Sequence, residues 1–389
     1  MQVFEDVVII GGGVIAASIA YFLQSSDSFA GSVLVIETEF DNNNSSWDIF
    51  HQQFSLPENM QMAQFAQEFL AGLNRFLRVE DNPVNVNYRE NGYLFLVEDR
   101  DIPILYNMNS LHQQYGASVS LLDPEDLARG FPWLNNSDLA GGSLGLAGEG
   151  GLNAGFLRAA FREKARSLGV RFQTGELVDI AKGKNRVNST TLSSGQTISF
   201  NMIINAAGTD SARIAHMAGI NLPMEARKRQ TFSFSSKVQL EESPVIVDPT
   251  GVHFRQDRNL FYAGYTSPRE NDPSCVGTEI DYDVFEEHIW PVLSHRIPSF
   301  QKITMEKALS EHDTVNVFDQ SPVLGSHPVL TNFYFANGFM GRSAQASPAV
   351  GRAIAELIDF GGYRTLDLSR FSFDRMVTGE AILEHTVLQ

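Results

Sequence analysis

The 389-residue chain contains a single cysteine, Cys275. One thiol cannot form an internal disulfide framework or a thiolate zinc cluster, so stability has to come from a packed core. Basic residues are scarce: 29 Lys and Arg stand against 46 Asp and Glu, a formal net charge of −17. That balance argues against a nucleic acid or an anionic membrane as the main partner, because both are held by basic footprints. The 9 histidines form no HExxH and no paired His–Cys pattern, so no metal site is expected. No GxSxG elbow supports hydrolase chemistry either. One uncharged stretch, Val7 to Leu23, approaches the length of a membrane span, but three consecutive glycines interrupt it. Glu5 and Asp6 precede it where a signal peptide needs positive charge, and no Arg-rich leader precedes Phe4. No transmembrane segment, signal peptide or transit peptide is therefore expected.

What is present suits a large folded core. Hydrophobic residues make up 43%, with 28 Phe for bulk and 31 Gly for tight turns. At roughly 100–200 residues per domain, the length suggests about two or three domains.

The amino-terminal region carries the strongest signal. Phe4 to Ile10 is an apolar run suited to a buried parallel strand. Gly11-x-Gly13-x-x-Ala16 follows, then the helix-like Val14 to Leu23, then a second apolar run, Val33 to Ile36, ending at Glu37. This is the dinucleotide fingerprint with its acid about 20 residues downstream. Gly11 permits the tight turn, and Gly13 lets a pyrophosphate approach the backbone. Ala16 allows close helix packing, and the helix start offers free N–H groups to phosphate. Glu37 suits ribose hydroxyls. The pattern alone fits NAD or FAD.

Further along, Glu58 to Phe76 spaces Met62, Phe65, Phe69, Leu73 and Phe76 as an amphipathic core helix. Asn91-Gly92 turns into a strand at Tyr93 to Val97, and Asp123 to Leu127 is a capped helix start. Asn42 to Asn44 is a short polar loop, and Ala140 to Gly151 is a glycine-rich crossing between domains. Leu157 to Leu168 predicts a helix ended by Gly169, with a strand from Val170 to Thr174 returning to the nucleotide sheet. Pro223 to Thr231 reads as a basic, solvated loop containing Arg227, Lys228 and Arg229, and Ile280 to Pro298 as helical. After an apolar strand at Phe333 to Ala336, small residues lead to a helix from about Pro348, placed in its first turn. That helix start is expected to direct its dipole toward the cofactor. His253, His312 and His327 read as ordinary hydrogen-bonding side chains.

Asn205 to Ser211, NAAGTDS, resembles the second cofactor motif of the D-amino-acid oxidase and sarcosine oxidase superfamily. Together with the fingerprint it favours FAD over NAD. His51 to Met60 (HQQFSLPENM), Arg227 to Arg229, Gly251 to Asn259, Phe318 to Gln320, Leu324 to Pro328, Asn332 to Gly338 and Gly351 to Leu366 are similar to segments of FAD-dependent oxidoreductase domain-containing proteins.

That resemblance implies an α/β fold: an FAD-binding doubly wound sheet interleaved with an antiparallel β-rich substrate domain. The implied FAD domain takes residues 1–85, 146–219 and 306–389, and the substrate domain takes 86–145 and 220–305. FAD would be bound without a covalent link by Gly11, Gly13, Ala16, Glu37, Ala206, Ala207, Gly208, Gly338 and Gly341. The candidates to face the flavin are His51, Arg255, Tyr265 and Arg342. The resemblance also implies a mitochondrial setting, with respiratory complex I subunits or assembly intermediates as partners; the alternative setting is cytoplasmic. Two functions stay open: a flavoprotein supporting complex I assembly with weak turnover, and an oxidoreductase moving hydride from a small amine or amino acid to FAD. The chain departs from the family pattern at four places, the first being His51, where relatives often have Arg. Trp47-Asp48-Ile49-Phe50 stands where relatives have a Ser/Gly-rich turn, and Gly341-Arg342-Ser343 replaces a Gly-His-Gly turn. No Lys occurs between Arg258 and Val276, where oxidases hold one near the flavin, so weak oxidase activity is expected.

Overall fold

A computed structural model of the chain describes residues 3–39, 47–240, 243–300 and 302–385; the Asn42 to Asn44 loop lies outside them. The first third contains β1 (Val3–Ile10), α1 (Val14–Gln24), β2 (Val33–Glu37), β3 (Trp47–Phe50), α2 (Pro57–Ala71), α3 (Leu73–Leu77), β4 (Tyr93–Val97), α4 (Ile102–Gln114), β5 (Val119–Leu122) and α5 (Pro124–Gly130). The middle contains β6 (Gly141–Gly145), β7 (Gly150–Asn153), α6 (Ala154–Ser167), β8 (Arg171–Thr174), β9 (Leu177–Lys182), β10 (Val187–Leu192), β11 (Thr197–Asn205), α7 (Ser211–Met217) and β12 (Met224–Ser236). The remainder contains β13 (Val245–Val247), β14 (Val252–Asp257), β15 (Leu260–Tyr265), α8 (Trp290–Arg296), β16 (Ile303–Asn316), β17 (Val323–Ser326), β18 (Phe333–Asn337), α9 (Ser343–Phe360) and α10 (Asp374–Thr378).

The first sheet runs in the order β17-β18-β11-β1-β2-β8, with β10 and β9 attached beside β11. Strands β18, β11, β1, β2 and β8 run parallel to one another, and the edge strand β17 is antiparallel to β18. The central segments Val7–Ile10 and Val33–Ile36 are covered on both faces and wholly apolar, whereas the edge strand β8 (RFQT) is half exposed. Val7, Ile9, Val33 and Val35 pack against α1, α2, α6 and α9, while Val8, Ile10, Leu34 and Ile36 face the other core. Helix α1 packs so tightly on α9 that a Cβ at Gly351 would collide with Ser18, whose hydroxyl donates to the Ser347 carbonyl at 2.7 Å.

The second sheet, β16-β12-β15-β14-β13-β4-β6-β5, is antiparallel except at the β13–β4 pair. Strand alternation gives it two unlike faces. Phe232, Phe234, Phe254, Phe261 and Ala263 point into a core with Phe285, Ile289, Leu293 and Phe300. The intervening residues form a polar face. A two-stranded sheet, β3 with β7, joins the two units. The glycine-rich run Ala140 to Gly151 leads from β6 in the second sheet to β7 in this joining sheet.

Three local expectations are corrected. The basic segment Pro223 to Thr231 is not a solvated loop. Most of it is the start of β12, paired with β16 from Met224 onward, and Arg229 grips Asp272 through two bonds of 2.8 and 2.7 Å. Asp272, in the segment after β15, and Asp313, across the ladder on β16, satisfy the Arg227 and Arg229 charges, a pairing that local composition does not reveal. Helix α9 begins at Ser343, so Pro348 lies inside it. The lost backbone bond is offset locally, because the Ser347 hydroxyl donates at 2.9 Å to the Ala344 carbonyl, the acceptor that Pro348 cannot serve. The Glu58 to Phe76 helix breaks at Gly72 into α2 and α3.

Candidate cofactor and substrate site

Ligands of open α/β sheets bind beyond the carboxyl ends of the strands, and here those ends collect the fingerprint residues. Gly11 has φ +118°, and a Cβ there would sit 2.2 Å from the Ala206 carbonyl oxygen. Only glycine fits between β1 and β11. Gly13 is the N-cap of α1, and a Cβ on it would meet nothing within 4 Å. That open space over free helix N–H groups is what a pyrophosphate needs. Ala16 is fully buried in the helix layer. The Glu37 carboxylate accepts from Gly12 N–H at 2.6 Å and from Thr38 N–H at 2.6 Å. The Thr38 hydroxyl adds a third bond at 2.8 Å, so of a carboxylate's about four lone-pair positions roughly one remains for a ribose hydroxyl.

Beside β1, Ala206, Ala207 and Gly208 form the turn after β11. The buried Asn205 amide holds it by donating to Ser211 O at 2.8 Å and accepting from Ala207 N–H at 3.3 Å. Asn337, at the end of β18, is 1% exposed, and neither atom of its amide has a partner among the described residues. Gly338 and Gly341 have φ +85° and +74°. Their missing Cβ atoms would point at Met224 and Asp313 respectively. Their glycine requirement therefore arises from the left-handed turn and from protein neighbours.

The four proposed flavin-facing residues fare differently. His51 is sandwiched between Phe54 (4.3 Å) and Tyr93 (4.7 Å). Burial pushes its pKa down to about 3, helped by the adjacent Arg342, so it is neutral at ordinary pH. Its Nδ1 is buried without a partner among the described residues. Arg342 lies over the Phe54 ring at 5.3 Å and makes no ion pair among the described residues. It lines a small pocket with Phe54, Asn59, Met62, Ala63, Pro322, Phe339, Gln345 and Ala346. The Gln345 side chain donates to the His51 carbonyl and leaves its Oε1 buried and unpaired. Arg255 lies on the polar face of the second sheet, its guanidinium 4.2 Å from the Tyr262 ring centre, and burial lowers its pKa to about 10.

Tyr265 does not join them. It stacks on His288 at 4.6 Å and packs against the apolar core. The two-residue period of β15 puts Tyr262 on the Arg255 side and Tyr265 on the other, and register β14–β15 pairs Arg255 with Tyr262. Counting alternation from the buried Phe261 places Tyr262, and not Tyr265, on the Arg255 face.

Sequence reasoning also missed several groups. Asp313, on β16, lies beneath the Gly341 turn and 3.4 Å from the Arg229 Nε. Burial raises its pKa, against the opposing pull of Arg229 and Arg342. Glu149 is fully buried between Gln52 N–H (2.9 Å) and Gln53 Nε2 (2.8 Å), and burial pushes it up to about 8. Glu384 caps α2 from far along the chain, accepting from Ser55 N–H, from Leu56 N–H at 3.2 Å and from the Asn59 amide at 2.5 Å. Among the described residues no group of three or more His, Cys, Asp or Glu could hold a metal ion. No described helix is long and apolar enough to cross a membrane.

A nucleotide cradle on a doubly wound sheet, facing the polar side of an antiparallel sheet, defines a dinucleotide-dependent oxidoreductase fold. The profile of the FAD dependent oxidoreductase family (DAO) matches residues 6–357, and the chain belongs to that family. FAD is its cofactor, and the cradle's open Gly13 face and unpaired Asn337 amide fit it. The chain is 35% identical over 98% of its length to FAD-dependent oxidoreductase domain-containing protein 1 of Xenopus laevis, covering 85% of that protein. It is 33% identical to the Drosophila melanogaster homologue, covering 98% of this chain and 81% of that one. Among solved structures, L-proline dehydrogenase from P. horikoshii superposes with a TM-score of 0.85 at 21% identity, covering 98% of this chain and 100% of that one.

Proposed function

We propose that the chain oxidises a small carboxylate-bearing amine or amino acid at FAD. The observation carrying this reading is the pocket of Arg342 and Gln345. It offers a guanidinium without an ion pair among the described residues beside a buried, unpaired amide oxygen. Bound FAD supplies the acceptor for a hydride from the carbon next to the amine nitrogen. Arg342 binds the carboxylate, and Gln345 Oε1 accepts from the amine N–H. Phe54 and Phe339 keep water out. His51 stays neutral and holds its ring between two aromatic faces, so it adds no charge against the bound amine. Support also comes from the P. horikoshii structure, which is named for oxidation of L-proline.

A second reading, a mitochondrial flavoprotein supporting respiratory complex I assembly, is favoured by Trp47-Asp48-Ile49-Phe50 and Gly341-Arg342-Ser343 departing from the Ser/Gly-rich and Gly-His-Gly turns of the family pattern. Anaerobic titration with amino acids and N-methyl amino acids distinguishes the two. Bleaching of the flavin bands by a carboxylated amine, lost in Arg342→Gln, supports catalysis. An unbleached flavin across the series, together with co-purification with complex I intermediates, supports the assembly reading.

A further inference from the structure

The departure at β3 has a structural counterpart at the far end of the chain. Asp48 Oδ2 accepts from Ala344 N–H at 3.3 Å, so a carboxylate occupies the first turn of α9. Helix starts carry roughly half a positive charge, and an anion within the first turn neutralises it. Arg255 lies within electrostatic reach of the same carboxylate from the opposite sheet.

The strand order shows which end of the cofactor meets this arrangement. Glu37 is on β2, the pyrophosphate turn follows β1, and the next strands outward are β11 and then β18. A dinucleotide with its adenosine ribose at Glu37 and its phosphates over α1 must extend its other end toward β18 and the start of α9. Two side chains there await a ligand independently of the helix. Asn337 is 1% exposed with both amide atoms unpaired, and Gln345, in the first turn itself, is 3% exposed with Oε1 unpaired among the described residues.

We propose that Asp48 tunes the bound flavin to a low reduction potential by cancelling the positive end of α9, with Arg255 limiting the effect. Reduction adds negative charge to a flavin, so a neutralised helix start and a nearby carboxylate both disfavour it. The acid does not touch the nucleotide half, so it shifts the redox equilibrium without being needed for FAD retention. The inference rests on FAD occupying the cradle. It predicts a strongly reducing flavin that passes electrons readily to an acceptor of higher potential.

The test is dye-coupled potentiometry on holoprotein carrying Asp48→Asn, Arg255→Gln, or both. Asp48→Asn is expected to favour the reduced flavin about tenfold, about 30 mV upward for a two-electron couple. Arg255→Gln is expected to move the potential downward when Asp48 is present and to have little effect in the Asp48→Asn background. Equal effects of Arg255→Gln in both backgrounds overturn the coupling. An unchanged potential in folded, FAD-bound Asp48→Asn overturns the proposal, as does loss of FAD from that variant, which makes Asp48 a binding residue. Wild-type protein that fails to bind FAD at all refutes the cofactor assignment instead, so the two failures are distinct.

Discussion

Glu149 gives a pH signature that can be worked out before any substrate is known. Its carboxyl is fully buried, and although Gln52 and Gln53 donate to it, burial raises its pKa from the ordinary 4.5 to about 8. The folded state therefore binds this proton more tightly than the unfolded state. The resulting stabilisation is fully present below pH 4.5 and is lost as the pH rises toward 8, where it levels off. At 1.36 kcal/mol per pH unit, the difference between 4.5 and 8 sets a ceiling of about 5 kcal/mol. Glu149→Gln keeps the shape and removes the titration. Urea unfolding of both proteins at intervals from pH 4 to 9 should show the wild type losing ground steadily to the variant between about pH 4.5 and 8. Only the change in the difference matters, so any constant offset from altered hydrogen bonds cancels. Parallel stability curves across this window would refute the argument and show that water or relaxation accommodates the charge.

Gly13→Val should fold, because its side chain meets only open space, yet lose the flavin absorbance bands; full FAD occupancy would contradict the pyrophosphate assignment. Gly11→Ala should instead destabilise the protein itself, by about 1–3 kcal/mol in thermal or urea unfolding, since φ +118° and the Ala206 carbonyl both oppose a Cβ. Arg375 is 4% exposed and pairs with the fully buried Asp319 through bonds of 2.7 and 3.1 Å, so Arg375→Ala should cost about 3–5 kcal/mol; an unfolding midpoint close to wild type would be inconsistent with the burial. Reduced wild-type protein should reoxidise slowly in air and faster with a quinone, measured by stopped-flow absorbance, with rapid peroxide formation as the contrary result.

The nucleotide half was legible because its signals are local and mutually consistent. An apolar strand, glycines at fixed offsets, a helix and an acid within Phe4 to Glu37 suffice to place Gly11, Gly13 and Glu37 at one edge. Elsewhere, pairings between distant residues decide the structure. Arg227 and Arg229 read as a loop because Asp272 and Asp313, which neutralise them, lie more than 40 residues away. The apolar-core face that Tyr265 takes was not legible, because the face of a strand depends on its register with a neighbour. Pro348 hid the true start of α9, since its tolerance depends on the Ser347 hydroxyl covering the orphaned carbonyl. Glu149 carries no local mark at all. Its significance comes from Gln52, Gln53 and Tyr93 closing around it.

The first sheet draws β1 and β2 from the start of the chain, β8 and β11 from its middle, and β18 from beyond residue 330. Helices α1 and α9 embrace across more than 300 residues, and their contact carries one wall of the cradle. During synthesis, the ribosome must therefore release β12 through β17 before β18 and α9 emerge to complete the FAD site. Such high contact order delays closure, and until then the Ile203–Asn205 end of β11 presents an unprotected edge. The FAD site is consequently incomplete until the late elements have joined the early ones. FAD should therefore stabilise the chain only once β18 and α9 have docked, since only then is the cradle complete.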